Sequence, residues 1–166
     1  MQEAAVKYHM RRSEQQIDDR SILDGILRQG KYATLSLCRK DEPYVVTLNY
    51  GYDSRAGALF FHCAKDGLKT DFVRQNPNVC ATIIVDKGYV QSQCSHPYKS
   101  VVIRGRIDIL VDPDEKRKAV DVLIEHLEEQ PETMKAKMKL PERQSRFEAM
   151  NVWRLNIEEI AGKEGS

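Results

Sequence analysis

No stretch of this 166-residue chain approaches the ~18 consecutive apolar residues that a membrane-spanning helix requires. The longest apolar runs, around Val79–Val85 and Ala58–Ala64, are the length of strands. Charge of one sign is lacking too: 26 Lys+Arg against 25 Asp+Glu leave +1, so bulk electrostatics favours neither nucleic acid nor an anionic membrane as partner. Cysteine is sparse. Cys38, Cys63, Cys80 and Cys94 stand 25, 17 and 14 residues apart, with no C-x-x-C pair, which excludes a zinc ribbon and a dense disulfide scaffold. Cys94-Ser-His96 offers two ligand types without partners in sequence, and we expect no metal site. The dinucleotide, nucleophile-elbow and zincin motifs (G-x-G-x-x-G, G-x-S-x-G, H-E-x-x-H) are all missing. Gly25-Ile-Leu-Arg-Gln-Gly-Lys31-Tyr32 comes near a phosphate loop, but Tyr32 stands where Ser or Thr must hold the metal. Residues 1–17 are polar and of mixed charge, so they read as no secretory signal. With reduced cysteines, this points to the cytoplasm.

What is present is a 41% hydrophobic, 31% charged chain of one-domain size, able to bury a real core. It has no room for separate cofactor and substrate domains. Residues 1–9 look like a loose extension, and residues 10–163 like one domain. Asp18 and Asp19 offer N-caps for a helix over Arg20–Gln29, with Gly30 suited to its C′ position. Strands are expected at Tyr32–Arg39, Pro43–Tyr52, Ala58–Cys63, Val79–Asp86, Gly88–Cys94, Ser100–Leu110 and Asn151–Glu158. The near-continuous apolar character of Val79–Asp86 suggests burial on both faces. Asp66-Gly67 opens a short helix that Asn76-Pro77 stops, and Asp112-Pro113-Asp114-Glu115 is a strong helix start. Residues 130–149 are helical or irregular, interrupted by Pro131 and Pro141. Strands that do not alternate with helices argue for a mainly β, antiparallel barrel with appended helices.

Two stretches could carry chemistry. In Phe60-Phe-His62-Cys-Ala64-Lys65-Asp-Gly-Leu-Lys69 an apolar strand ends in a His and a loop opens a helix. Its N–H groups, with Lys65 and Lys69, would suit a phosphate. The same residues also describe a solvated helix start capped by Asp66. In Pro43–Gly51, Thr47, Asn49 and Gly51 share one face, and Val46, Leu48 and Tyr50 the other. The polar face could receive a flat ligand or simply meet water. In Tyr98–Arg106, Arg104 and Arg106 alternate with aliphatics, as on an edge strand.

In order and spacing, these pieces resemble the flavin-binding split-barrel group related to pyridoxamine 5′-phosphate oxidase, within it the nitroimidazole-resistance (Nim-type) branch. The matching stretches are Met10-Arg-Arg-Ser with Ile17-Asp, Gly30-Lys, Glu42–Tyr52, Leu59–Lys69, Asn76-Pro-Asn-Val-Cys80, Tyr98–Gly105, Glu115-Lys-Arg-Lys-Ala-Val and Ile157–Lys163. The resemblance implies a six-stranded antiparallel FMN-binding split barrel that forms a homodimer, with FMN in the grooves between subunits. By position, Val46, Thr47, Leu48, Asn49 and Tyr50 would line the isoalloxazine. His62, Ala64 and Lys69 would surround the ribityl phosphate end, with Lys65 nearby. Ser100 would reach the flavin from the neighbouring strand system, and Trp153 would cover part of the ring or pack in a core or interface. The oxidase relatives hold the flavin phosphate with an Arg-Lys pair and further arginines; this chain offers lysines and His62. The arginine cluster those oxidases use for a substrate phosphate is not evident.

The resemblance thus implies an FMN-dependent oxidoreductase of small electron-poor substrates, nitroimidazoles included. His62 would be its proton donor or anion contact. A non-catalytic flavin-binding or sensing module, and a split barrel that binds haem, are the alternatives.

Overall fold

The computed structural model describes residues 10–165, so the extension expected over 1–9 lies outside the described residues. One antiparallel sheet dominates. Its strands are β1 (Gln16–Ile17), β2 (Tyr32–Arg39), β3 (Glu42–Asn49), β4 (Gly51–Asp53), β5 (Ala58–Ala64), β6 (Asn78–Asp86), β7 (Tyr98–Leu110) and β8 (Met150–Gly165). They run in the order β3-β2-β6-β7-β8-β5-β4, with β1 paired to β8. The sheet therefore has eight strands instead of six. Six are long, and the extra two are the short β1 and β4. β4 exists because the run expected over Pro43–Tyr52 breaks at Tyr50.

Each helix starts for a local reason. α1 (Arg20–Gln29) is capped by Asp19, whose carboxylate accepts from Ser21 N at 2.7 Å. Gly30 ends it in extended geometry, not the left-handed C′ conformation expected. A Cβ there would collide with Ile83 and the Tyr50 hydroxyl, so glycine is required by close packing. α2 (Leu68–Gln75) follows β5. α3 (Pro113–Leu127) is capped by Asp112, which accepts from Asp114 N and Glu115 N at 3.0 and 2.9 Å. Pro131 and Pro141 do not merely interrupt residues 130–149: each sits at a helix N-terminus, opening α4 (Pro131–Met138) and α5 (Pro141–Glu148).

Three expectations are corrected. Gly88–Cys94 is not a strand but a turn closed by a single Val90–Ser95 bridge. Gly88, Ser92 and Cys94 have φ of 84°, 64° and 46°, which extended chain cannot accommodate. β6 is buried on one face only, with Ile84 59% exposed. The last strand runs on past Glu158 to Gly165, because β7 is long enough to pair it that far.

Side chains alternate across the curled sheet and fill its interior with Leu35, Tyr50, Phe61, Ile83 and Trp153. A second, smaller core lies outside it, where α3 and α5 cover Ala58, Phe60 and Val152. Among the described residues no helix is long and apolar enough to cross a membrane.

Candidate functional site

The barrel is split beside Tyr50. β4 pairs with β5 (Gly51 opposite Phe60), but β3, the same chain two residues earlier, has left β5. Carried back along the chain, that register sets Asn49 opposite His62 and Thr47 opposite Ala64. No ladder forms there, and among the described residues no strand pairs with the far edge of β3 or with the Phe61–Ala64 edge that faces it. Two strand edges with open N–H and C=O groups thus flank one groove. Their outward side chains are Thr47 and Asn49 on one bank, His62 and Ala64 on the other. Such a groove offers a flat heterocycle the backbone donors and acceptors of both banks.

α2 starts beyond the end of this groove. Asp66 does not cap it: the N-cap is Gly67, at φ 133°, and no side chain accepts from the first turn. Asp66 is instead exposed, and its nearest partner is Arg74 at 3.7 Å. The first-turn N–H groups therefore remain free of a side-chain cap, as an anion would need. Lys69 lies in that turn. It is close enough to Cys63 to oppose the effect of burial, which pushes that thiol above its ordinary pKa. Lys65 is placed by Asn151, a buried side chain whose Nδ2 donates to Lys65 O at 2.6 Å. The Lys116 ammonium, donating to Met150 O at 2.9 Å, is held below its ordinary pKa by burial and by nearby Lys65. Lys65, Lys69 and Lys116 gather at this end, alongside the acids Asp66, Asp71 and Glu148.

The structure brings Thr47, Asn49, His62, Ala64, Lys65 and Lys69 to the groove and the helix start. It does not bring the others. Val46 and Leu48 turn inward against the barrel core. Tyr50 is fully buried and donates its hydroxyl to Leu27 O at 2.7 Å. Trp153 is also fully buried, opposite Phe61 and Ile109, so it is a core aromatic of the barrel. Ser100 faces outward, three strand spacings from β3, or about 14 Å at ~4.8 Å each.

Thr47, Asn49 and Ser100 do share one broad surface, the outer face of β3-β2-β6-β7. Its central row is Thr47, Thr34, Thr82 and Val102, with Thr34 and Thr47 hydroxyls 2.9 Å apart. Tyr32, Val45 and Ile84 stand on the same face at 62%, 61% and 59% exposure. Charge appears toward its margin, at Asp86, Arg104, Arg106, Glu159 and Lys163.

A second feature, absent from the expectations above, lies on the His62 side. α3, α4 and α5 roof the outward face of β5 and border an open-sided cavity of about 510 Å³. His62 and Ala64 lie on its floor side, Leu123 and Leu127 on α3, Met134 and Met138 on α4. Arg143 and Arg146 of α5 line it as well. The signal available was three methionines and two arginines within 134–150.

An antiparallel barrel split by an open groove at its seam is the class of fold this chain adopts. The particular family follows from the sequence: the chain belongs to the pyridoxamine 5′-phosphate oxidase family, whose profile it matches over residues 19–164. A proposed 5-nitroimidazole antibiotic resistance protein from Bacteroides thetaiotaomicron superposes with a TM-score of 0.75 at 24% identity, over 90% of this chain and 86% of that one. The flavocytochrome Anf3 of Azotobacter vinelandii superposes at 0.77 with 16% identity, over 96% and 73%. These likenesses are likenesses of fold. A curated protein of Rhizobium meliloti, uncharacterized, is 31% identical over 87 residues, and the chain spans about half (52%) of its length.

Proposed function

We propose that this chain is a homodimeric flavoprotein that holds FMN in the β3–β5 groove and reduces small electron-poor substrates such as nitroimidazoles. The observation that carries the reading is the groove itself: two unpaired strand edges leading to an uncapped helix start among three lysines. The residues fit the group. Backbone N–H and C=O of β3 and β5 would meet the ring's polar edge, and the α2 first turn with Lys65 and Lys69 its phosphate. FMN would supply hydride and single-electron chemistry. His62, on the groove's bank, would donate a proton or contact the substrate anion. The outer face, uncharged along its central row, suits a second copy, which would close the groove and carry its own Ser100 toward it.

A purified sample tests this. A yellow flavin spectrum that bleaches with NAD(P)H and recovers with a nitroimidazole is expected; a flavin that no donor reduces would leave a binding or sensing module. Extraction distinguishes FMN from FAD, and light scattering reads the dimer. His62→Ala and Lys69→Ala should each weaken FMN binding by about tenfold or more, as loss of a charge-assisted contact does. Unchanged flavin content in both removes the phosphate assignment. A haem-binding barrel is the second reading, favoured by the likeness to a flavocytochrome; a Soret band would establish it.

A further inference from the structure

α4 adds only partly buried methionines to the second core. None of its residues is fully buried, and Lys135 ties it to α3 by one ion pair, to Glu125 at 2.6 Å, while also pairing within α4 with Glu132 at 2.9 Å. Its two methionines face the cavity, which at about 510 Å³ has the size of a small-molecule pocket. Methionine suits such a wall because its unbranched thioether adapts to differently shaped apolar bodies. The polar part of the wall is uneven. Arg143 and Arg146 both line it, and among the described residues neither makes an ion pair. Glu128 is the single acid on the same wall, so the guanidiniums outnumber carboxylates two to one. An apolar chamber edged by unpaired guanidiniums is complementary to a ligand with an apolar body and an anionic end.

We propose that the chamber between β5 and the α3–α5 roof binds a small apolar or aromatic carboxylate. Its body lies against Leu123, Leu127, Met134 and Met138, and its carboxylate meets Arg143 and Arg146. Filling the chamber covers the α4 methionines, so the ligand completes a layer that the chain alone leaves open. The contacts proposed for the carboxylate are residues other than those assigned to the flavin. That the bound carboxylate is also the molecule reduced, delivered past His62 to the groove, rests on the reading above.

Calorimetric titration of the flavin-free protein tests the site, with 4-phenylbutyrate and its uncharged counterpart 4-phenyl-1-butanol as probes. The acid should bind about tenfold tighter than the alcohol, the gain expected of a charge-assisted contact. The Arg143→Met/Arg146→Met variant should lose that gain and bind the two alike, its retained alcohol binding showing that the chamber is intact. Met138→Trp, which fills the chamber, should weaken both probes. Equal affinities for acid and alcohol in the unmodified protein overturn the anion assignment, as does an acid preference that survives the double arginine variant. No binding of either probe at millimolar concentration overturns the site, and undiminished binding to Met138→Trp places it elsewhere. Each result is read without flavin, so it is separable from a failed flavin spectrum.

Discussion

The two apolar cores of this protein are built to different standards. Inside the barrel, Trp153, Tyr50, Phe61, Leu35 and Ile83 are all less than 2% exposed. Under the helical roof the largest buried residues are Phe60 and Phe147, and a cavity remains beside them. The barrel interior is enclosed by hydrogen-bonded strands, so its volume is fixed and side chains must fill it. The roof is three helices of which one has no fully buried residue, so its volume can change with what enters. The seam at His62 and Asn49 lies between these regimes: a rigid frame positions one bank, and an adaptable layer borders the other.

The contrast predicts unequal costs for the same chemical change. The largest is expected in the barrel. Trp153→Ala should destabilise by about 3–5 kcal/mol, because rigid surroundings cannot collapse into the void. Trp153→Phe should cost far less, since it also removes an indole N–H that is buried without a partner. Denaturant unfolding measures both. If Trp153→Ala costs no more than about 1 kcal/mol, the barrel is not the tighter region.

Gly51 tests the joint between them. A Cβ there would stand 2.7 Å from the Leu123 N and Cα, both backbone, so α3 would have to lift off β4. Gly51→Ala should cost about 1–3 kcal/mol, as overpacking does. It should also raise amide exchange in α3 while leaving β7 protected.

How far the sequence disclosed this arrangement follows the same division. Strands closing the barrel were legible because one face is buried and the other wet, as in the alternation of β2 and β3. Asp19 and Asp112 announced their helices through capping chemistry. The polar face of Thr47 and Asn49 was legible for that reason as well. Tyr50 and Trp153 were harder, since an aromatic in a strand packs equally well on a ligand or in a core. The last half of β8 was hidden because Glu158-Glu159 and Gly162 disfavour a strand alone and are held there by β7. The chamber was least legible. Its wall is shared among β5, three helices and the start of β8, and no single periodicity encodes how they pack.

His126 offers a smaller, pH-dependent test. It bridges the regions from the end of α3: its Nε2 lies 2.7 Å from Gly30 O, and its ring packs on Tyr50 at 4.9 Å between centroids. Burial holds its pKa below the ordinary value of 6.5, with Lys31 and Arg28 adding to the effect against the opposing Gly30 bond. The unfolded chain therefore takes up the proton first. The stability linked to neutral His126 is complete above about pH 6.5 and is lost as pH falls from there through the folded-state pKa. Melting temperature measured from pH 8 to pH 5 should fall across that window. His126→Gln, which keeps a donor for Gly30 O, should flatten the fall. A slope unchanged by the variant would assign the pH dependence to other groups.

The smallest effect is expected at Met138. In a filled core, Met→Ala costs about 2–5 kcal/mol because it opens a void. Here the void already exists and the side chain borders it, so truncation adds space to a cavity without creating one. Met138→Ala should therefore shift unfolding by no more than about 0.5 kcal/mol, within the range of surface substitutions. Amides of α4 should exchange faster than those of β6 and β7 in the unmodified protein, since α4 has ion pairs and no buried residues to resist opening. A cost near that of a barrel residue would mean the roof is closed in solution, and the two cores would then follow one standard.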